Sequence, residues 1–194
     1  MKKYFLIVVA LVFTIFQTNA QDEPLVLKKT IISFVPQYLI IDGIRIDVER
    51  QLKGRHFLQI CPQIYTNSAT EYSNYYKEMI GGGLFIYHKY FPNTDFMNNG
   101  VYLSYGITYN YFHFSPNQDF PDVGGRNINK IGADFIIGIQ VFHKQIISVD
   151  FYTGAGIRNS FINGTFNPDG SEDFPRYDHS GNLFLLGFRL GILI

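Results

Sequence analysis

The sequence predicts an all-β fold: an eight-stranded antiparallel up-and-down barrel that crosses a membrane, preceded by a cleaved signal peptide. Three observations carry that reading. Several segments of about a dozen residues alternate apolar with small or polar side chains at period 2. That length is closer to a membrane-barrel strand (~9–11 residues) than to a sandwich strand (~5–6). Short and long connections alternate along the chain, as in a run of hairpins. Beyond residue 20 no stretch is long and apolar enough for a transmembrane helix, so closed strands are the remaining way to satisfy the backbone in lipid.

Composition narrows the function classes. Of 16 basic and 16 acidic side chains, Lys2 and Lys3 fall in residues 1–20, which hold no acid; the remainder carries 14 and 16, a net charge of −2. A basic nucleic-acid-binding protein is excluded. Charged residues are only 16% and aromatics 17%, which argues against disorder. The single Cys61 excludes an internal disulfide and any Cys-cluster metal site.

Taken in order, residues 1–20 read as the signal peptide: Lys2 and Lys3, an apolar run from Phe5 to Phe16 broken only by Thr14, and a small residue at Ala20. The mature chain is expected to begin at Gln21, with a short segment over 21–29 and the barrel over 30–194. The first strand, 30–38, contains Pro36, which cannot donate a ladder bond and so belongs at the strand's end or in a bulge. The second, 43–52, alternates Ile44, Ile46 and Val48 with Arg45, Asp47 and Glu49. The third, 56–66, opposes Leu58, Ile60 and Ile64 to Gln59, Cys61 and Gln63. The fourth, 79–91, is less regular, with Gly81, Gly82 and Gly83 in a row.

The last four strands, 100–113, 130–142, 145–158 and 182–194, are the clearest. Val101, Leu103, Tyr105, Ile107, Tyr109 and Tyr111 make one face of the first of them; Phe184, Leu186, Phe188, Leu190 and Ile192 make one face of the last. Tight turns are expected at Lys53-Gly54 and His143-Lys144, and long loops over 67–78, 114–129 and 159–181. With the N-terminus on the periplasmic side, all the long connections fall outside. Tyr109, Tyr111, Tyr87 and Tyr90 are expected to sit in an interfacial girdle.

In its signal, its eight hairpin-linked strands and its apolar alternating end, the chain resembles the small outer-membrane barrel proteins of Gram-negative bacteria, of which the outer membrane protein A transmembrane domain is the type. The resemblance spans about residues 28–194 and rests on pattern rather than on a motif. It implies the outer membrane as location, with outer-membrane lipids and the barrel-assembly machinery as partners. The family usually ends in an aromatic residue, part of the assembly signal. This chain ends in Ile194, so Phe184 and Phe188 are the rings left to serve.

Strand parity assigns an inward-facing charged set: Arg45, Asp47, Glu49, Lys89, Asp134, Asp150, Arg158 and Arg189. Four cations and four anions in a narrow barrel are expected to pair as a structural network, because unpaired burial is costly. One motif hints at catalysis. His113 and Ser115 share the outward face at the end of a strand, a base beside a nucleophile, as in the outer-membrane lipid A deacylase. A carboxylate to complete it is missing from that face of the next strand, since Asp134 points inward. Asn167, Asp169, Ser171 and Asp173 alternate in the last long loop, but the Gly and acid positions of an EF-hand are absent, so no metal is assigned. Asn163-Gly164-Thr165 matches a glycosylation sequon by letters only and reads as an ordinary turn.

No cofactor is implied. The function class favoured is a non-enzymatic envelope or surface-interaction barrel acting through its long extracellular loops. The alternatives are a lipid-modifying hydrolase using His113 and Ser115, and a small-ligand-binding barrel. Loops of this composition do not specify their extracellular partner.

Overall fold

The computed structural model describes residues 30–68, 75–92, 99–119, 124–144, 146–164 and 180–194. The expected signal peptide and short N-terminal segment, and the alternating Asn and Asp loop, lie outside these residues. Eight strands pair antiparallel with their neighbours in sequence and close into one barrel. They are β1 (Thr30–Phe34), β2 (Gly43–Lys53), β3 (His56–Ser68), β4 (Tyr76–Tyr90), β5 (Gly100–Pro116), β6 (Arg126–His143), β7 (Ile147–Gly164) and β8 (Gly181–Leu193). Closure comes from β1 against β8, with Ile31 opposite Leu193 and Phe34 opposite Leu190.

Alternation fixes what is inside. Along β7, Ser148, Asp150, Tyr152, Gly156 and Arg158 are buried, while Ile147, Phe151, Ala155 and Ile157 are exposed. The same parity runs through β2, where Arg45, Asp47 and Glu49 are buried between exposed Ile44 and Ile46. The barrel therefore inverts a soluble protein: apolar outside, polar and ionic inside. Where rings crowd the interior, glycines face them. A Cβ on Gly138 would overlap the Tyr102 ring, and one on Gly187 would overlap Tyr152.

Three expectations are corrected. The first strand does not run to residue 38. It stops at Phe34, and Pro36–Ile41 form a 3-10 helix that turns through Asp42 at φ 60° into β2. Pro36 is the reason: it occupies the first turn of that helix, where a missing N–H costs nothing. Second, β4, β5, β6 and β7 run past their expected loop ends, into residues read as loop. Asn127 and Asn129 sit on the outward face there, accepting bonds from Tyr111 and Tyr109 hydroxyls at 2.7 Å each. A polar outer face beyond the apolar band defeats a search for apolar alternation. Third, Tyr87 is not in a girdle. It is buried inside and donates to Asp134 Oδ2 at 2.6 Å. Tyr87 and Lys89 share parity, so one cannot face out while the other faces in.

Candidate functional site: the barrel interior and its rim

All eight predicted charged residues lie inside, and they form two groups. The larger takes its charged members from four strands far apart in sequence, β2, β4, β7 and β8. Lys89 Nζ, from β4, lies 2.8 Å from Glu49 Oε2 on β2 and 3.1 Å from Asp150 Oδ2 on β7. It also donates to Gln140 Oε1 on β6 and sits 3.8 Å over the Tyr102 ring. Arg189, on β8, reaches Asp150 Oδ2 at 2.6 Å and Asp47 Oδ2 at 2.8 Å. Asp47 is held in turn by Arg45 through two bonds, at 2.6 and 3.0 Å, and by Gln59 at 3.1 Å. Tyr102 donates its hydroxyl to Asp150 Oδ1 at 2.7 Å. The second group is a two-bond pair, Arg158 to Asp134, at 2.5 and 3.0 Å, with Tyr87 as third partner.

Cations stack on rings as well as on carboxylates: Arg45 lies 5.1 Å from the Phe85 centroid and Arg189 lies 4.2 Å from that of Tyr152. The end towards the long loops is closed differently, by a buried apolar cluster of Tyr65, Tyr76, Met79, Phe112, Phe114 and Ile128. Between that cluster and the ionic layer lies a cavity of about 460 Å³.

The charge balance differs from the expected one. Arg126 and Lys130 are also buried, so the buried ionic residues among those described are six cations and four anions. Both fell in or beside a stretch read as loop. Their parity with Gly132 and Asp134 was the available signal.

At the rim, His113 and Ser115 are on the outward face, as expected, and half-buried. Asn127 stands opposite His113 on β6, with its Oδ1 2.7 Å from Nδ1 of the ring. An amide oxygen only accepts, so Nδ1 is the donor of this bond. Glu78, exposed on β4, stands opposite Ser115. A base with an orienting amide is thus present, yet among the described residues no hydrogen bond joins His113 to Ser115. The structure brings together neither a Ser–His pair nor a carboxylate bound to His113.

Two histidines, His56 and His88, stack at the turn end with His56 Nδ1 and His88 Nε2 3.0 Å apart. Among the described residues no group of three or more His, Cys, Asp or Glu is placed to hold a metal. Cys61 is buried in the wall between Gln59 and Gln63. Of the sequon letters, Asn163 and Gly164 end β7 and Thr165 lies outside the described residues.

No family model matches the sequence, and no curated protein matches it. Among solved structures the barrel is similar to that of Acinetobacter baumannii CarO, at 12% identity and a TM-score of 0.46, over 89% of this chain and 100% of that one. The barrel assignment rests on the strand pairing above and not on this likeness. No helix among the described residues is long and apolar enough to cross a membrane, which says nothing about crossing by strands.

Proposed function

We propose that the chain is an integral outer-membrane barrel of a Gram-negative envelope, exported by the signal at residues 1–20. Its interior is a packed ionic plug rather than a pore, and its long loops face outward for surface interaction. The observation that supports this best is the outward apolar band: Ile46, Ile60, Ile86, Ile107, Ile137, Phe151 and Leu190 are all exposed, one on each of β2 to β8. A protein surrounded by water rarely exposes a contiguous apolar surface of that extent. Lipids of the outer membrane and the barrel-assembly machinery are the partners this reading requires.

The test is fractionation. The protein is expected in the outer membrane, with its mature end at Gln21, and to migrate faster on a gel unheated than boiled, since a closed barrel resists detergent until heated. Recovery as a soluble periplasmic protein with no heat-dependent mobility contradicts the reading.

Catalysis is not part of it. Without a Ser–His bond the rim has an oriented base but no activated nucleophile. Mass spectrometry of lipid A is expected to show the same acyl pattern with the wild type, with His113→Ala and without the gene. Loss of one acyl chain that depends on both His113 and Ser115 would establish the hydrolase instead.

A further inference from the structure

The tight-turn end of the barrel carries an unbalanced surface charge. Arg50, Lys53 and Lys144 are exposed there. The carboxylates nearest to them in sequence, Asp47, Glu49 and Asp150, point inward and are held by Arg45, Lys89 and Arg189. The other described carboxylates lie elsewhere: Asp42, Glu78 and Asp119 at the loop end, and Asp134 inside. Arg50 and Lys53 have no ion pair among the described residues. Half-buried Arg55, between the strands, donates to the Pro92 carbonyl at 2.6 Å.

Register gathers two of these cations on one patch. Arg50 has the outward parity of Ile44 and Ile46. It stands opposite Leu58, which stands opposite His88, which stands opposite Tyr105. The next row towards the turn places Lys53 opposite His56, His56 opposite Tyr90, and Tyr90 opposite Leu103. Neighbours across a ladder lie ~4.5–5.5 Å apart, so Arg50, Lys53 and His56 can reach one head group. The rings hold one another: His56 lies 5.0 Å from Tyr90 and His88 lies 5.0 Å from Tyr105, centroid to centroid. Two neutral imidazoles carry two N–H groups. The bond between His56 and His88 uses one and leaves the other to donate.

Cations with apolar stems at the margin of an apolar band, with phenol rings beside them, suit a membrane interface. Guanidinium and ammonium groups bind phosphate oxygens, and no exposed carboxylate among the described residues at this end cancels their attraction. The geometry points to a binding site for an anionic phospholipid on the outer face of β2, β3 and β4 at the tight-turn end. The phosphate lies at Arg50, Lys53 and His56, and the acyl chains lie along Leu58, Ile60 and Ile86, which continue the same face inward. Net head-group charge sets the selection. Phosphatidylglycerol brings only its phosphate, whereas phosphatidylcholine also brings a quaternary amine that the same cations repel. The site rests on the membrane reading proposed above, because it needs this face to meet lipid.

The experiment uses the full barrel in nanodiscs of phosphatidylcholine. A trace of phosphatidylglycerol or of phosphatidylcholine, each bearing the same photoactivatable diazirine in its acyl chain, is cross-linked to it, and the adducts are mapped by mass spectrometry. The phosphatidylglycerol probe is expected to label β2–β4 at least about fivefold more than the phosphatidylcholine probe, since each basic group near an anionic surface favours it about fivefold. On β7 and β8, where Arg158 and Arg189 point inward, the two probes are expected to label alike. Arg50→Gln with Lys53→Gln is expected to bring the β2–β4 ratio down to the β7–β8 ratio. Molar salt is expected to do the same to the wild type, by screening, without any variant. Equal labelling of β2–β4 by both probes, or a preference that survives the double substitution, overturns the site. Heat-dependent gel mobility is read on every sample. A barrel that does not enter the nanodisc contradicts the membrane reading and the site with it; one that enters and shows no preference overturns the site alone.

Discussion

Lys89→Met is expected to lower the stability of the folded barrel in lipid by about 3–5 kcal/mol, the cost of leaving a buried charge without its partner. Lys89 is fully buried, and it is the cation that holds Glu49: one Glu49 oxygen bonds Lys89 and the other has no hydrogen-bond partner among the described residues. Asp150 loses less, because it keeps Arg189 and the Tyr102 hydroxyl. Methionine is close in volume to the lysine stem, so the loss is electrostatic rather than a cavity. A denaturant titration of the reconstituted barrel measures it. Glu49→Gln in the same chain is expected to restore part of the loss, because the two effects are coupled. Arg189→Ala is expected to cost less than Lys89→Met. Both carboxylates that Arg189 touches retain a second cation, Arg45 for Asp47 and Lys89 for Asp150. Equal, small effects for Lys89→Met and a surface lysine change would show that the interior is wet.

Ile137→Arg is expected to cost about 2–4 kcal/mol, the penalty for a guanidinium near the bilayer midplane. Ile137 is exposed on the outer face of β6, with Leu103 on one side and Thr153 on the other. Asn129 shares that face near the loop end, where its amide already accepts from Tyr109. Asn129→Arg is expected to cost no more than about 1 kcal/mol, because the penalty fades towards the interface. The pair of variants, titrated in the same lipid, maps depth. A neutral Ile137→Arg would place the apolar band outside the membrane.

Much of this architecture is written in period 2. On β6 and β7, the alternation of Ile137, Ile139 and Phe151 with Gly138, Asp150 and Arg158 assigns both faces without knowledge of any contact. The rule fails where a local feature interrupts it. Pro36 ends β1 early, and the three glycines at 81–83 hide the parity of β4, which is why Tyr87 is misplaced by composition while Lys89 is placed correctly by parity. Strand ends fail because they leave the apolar band: Arg126 and Lys130 alternate with asparagines, which read as loop.

The interior charges are legible one at a time, but their pairing is not. Lys89 meets Glu49 across 40 residues of chain and Asp150 across 61. Those contacts are set by register around the whole barrel. The cavity is less legible still. Its lining includes Leu183 and Leu185, on a part of β8 that, among the described residues, lies beyond the last pair with β1, Phe34 opposite Leu190.

Single-channel recording in a planar bilayer tests the filled interior most directly. Eight strands leave a lumen only wide enough for side chains to fill, and here Arg45, Asp47, Lys89, Tyr102, Asp150 and Arg189 occupy it. Purified barrel, confirmed as folded by its heat-dependent mobility, is expected to show no large, steady conductance at any applied voltage. A stable single-channel conductance on the scale of a diffusion porin would show open water through the ionic layer and contradict the account.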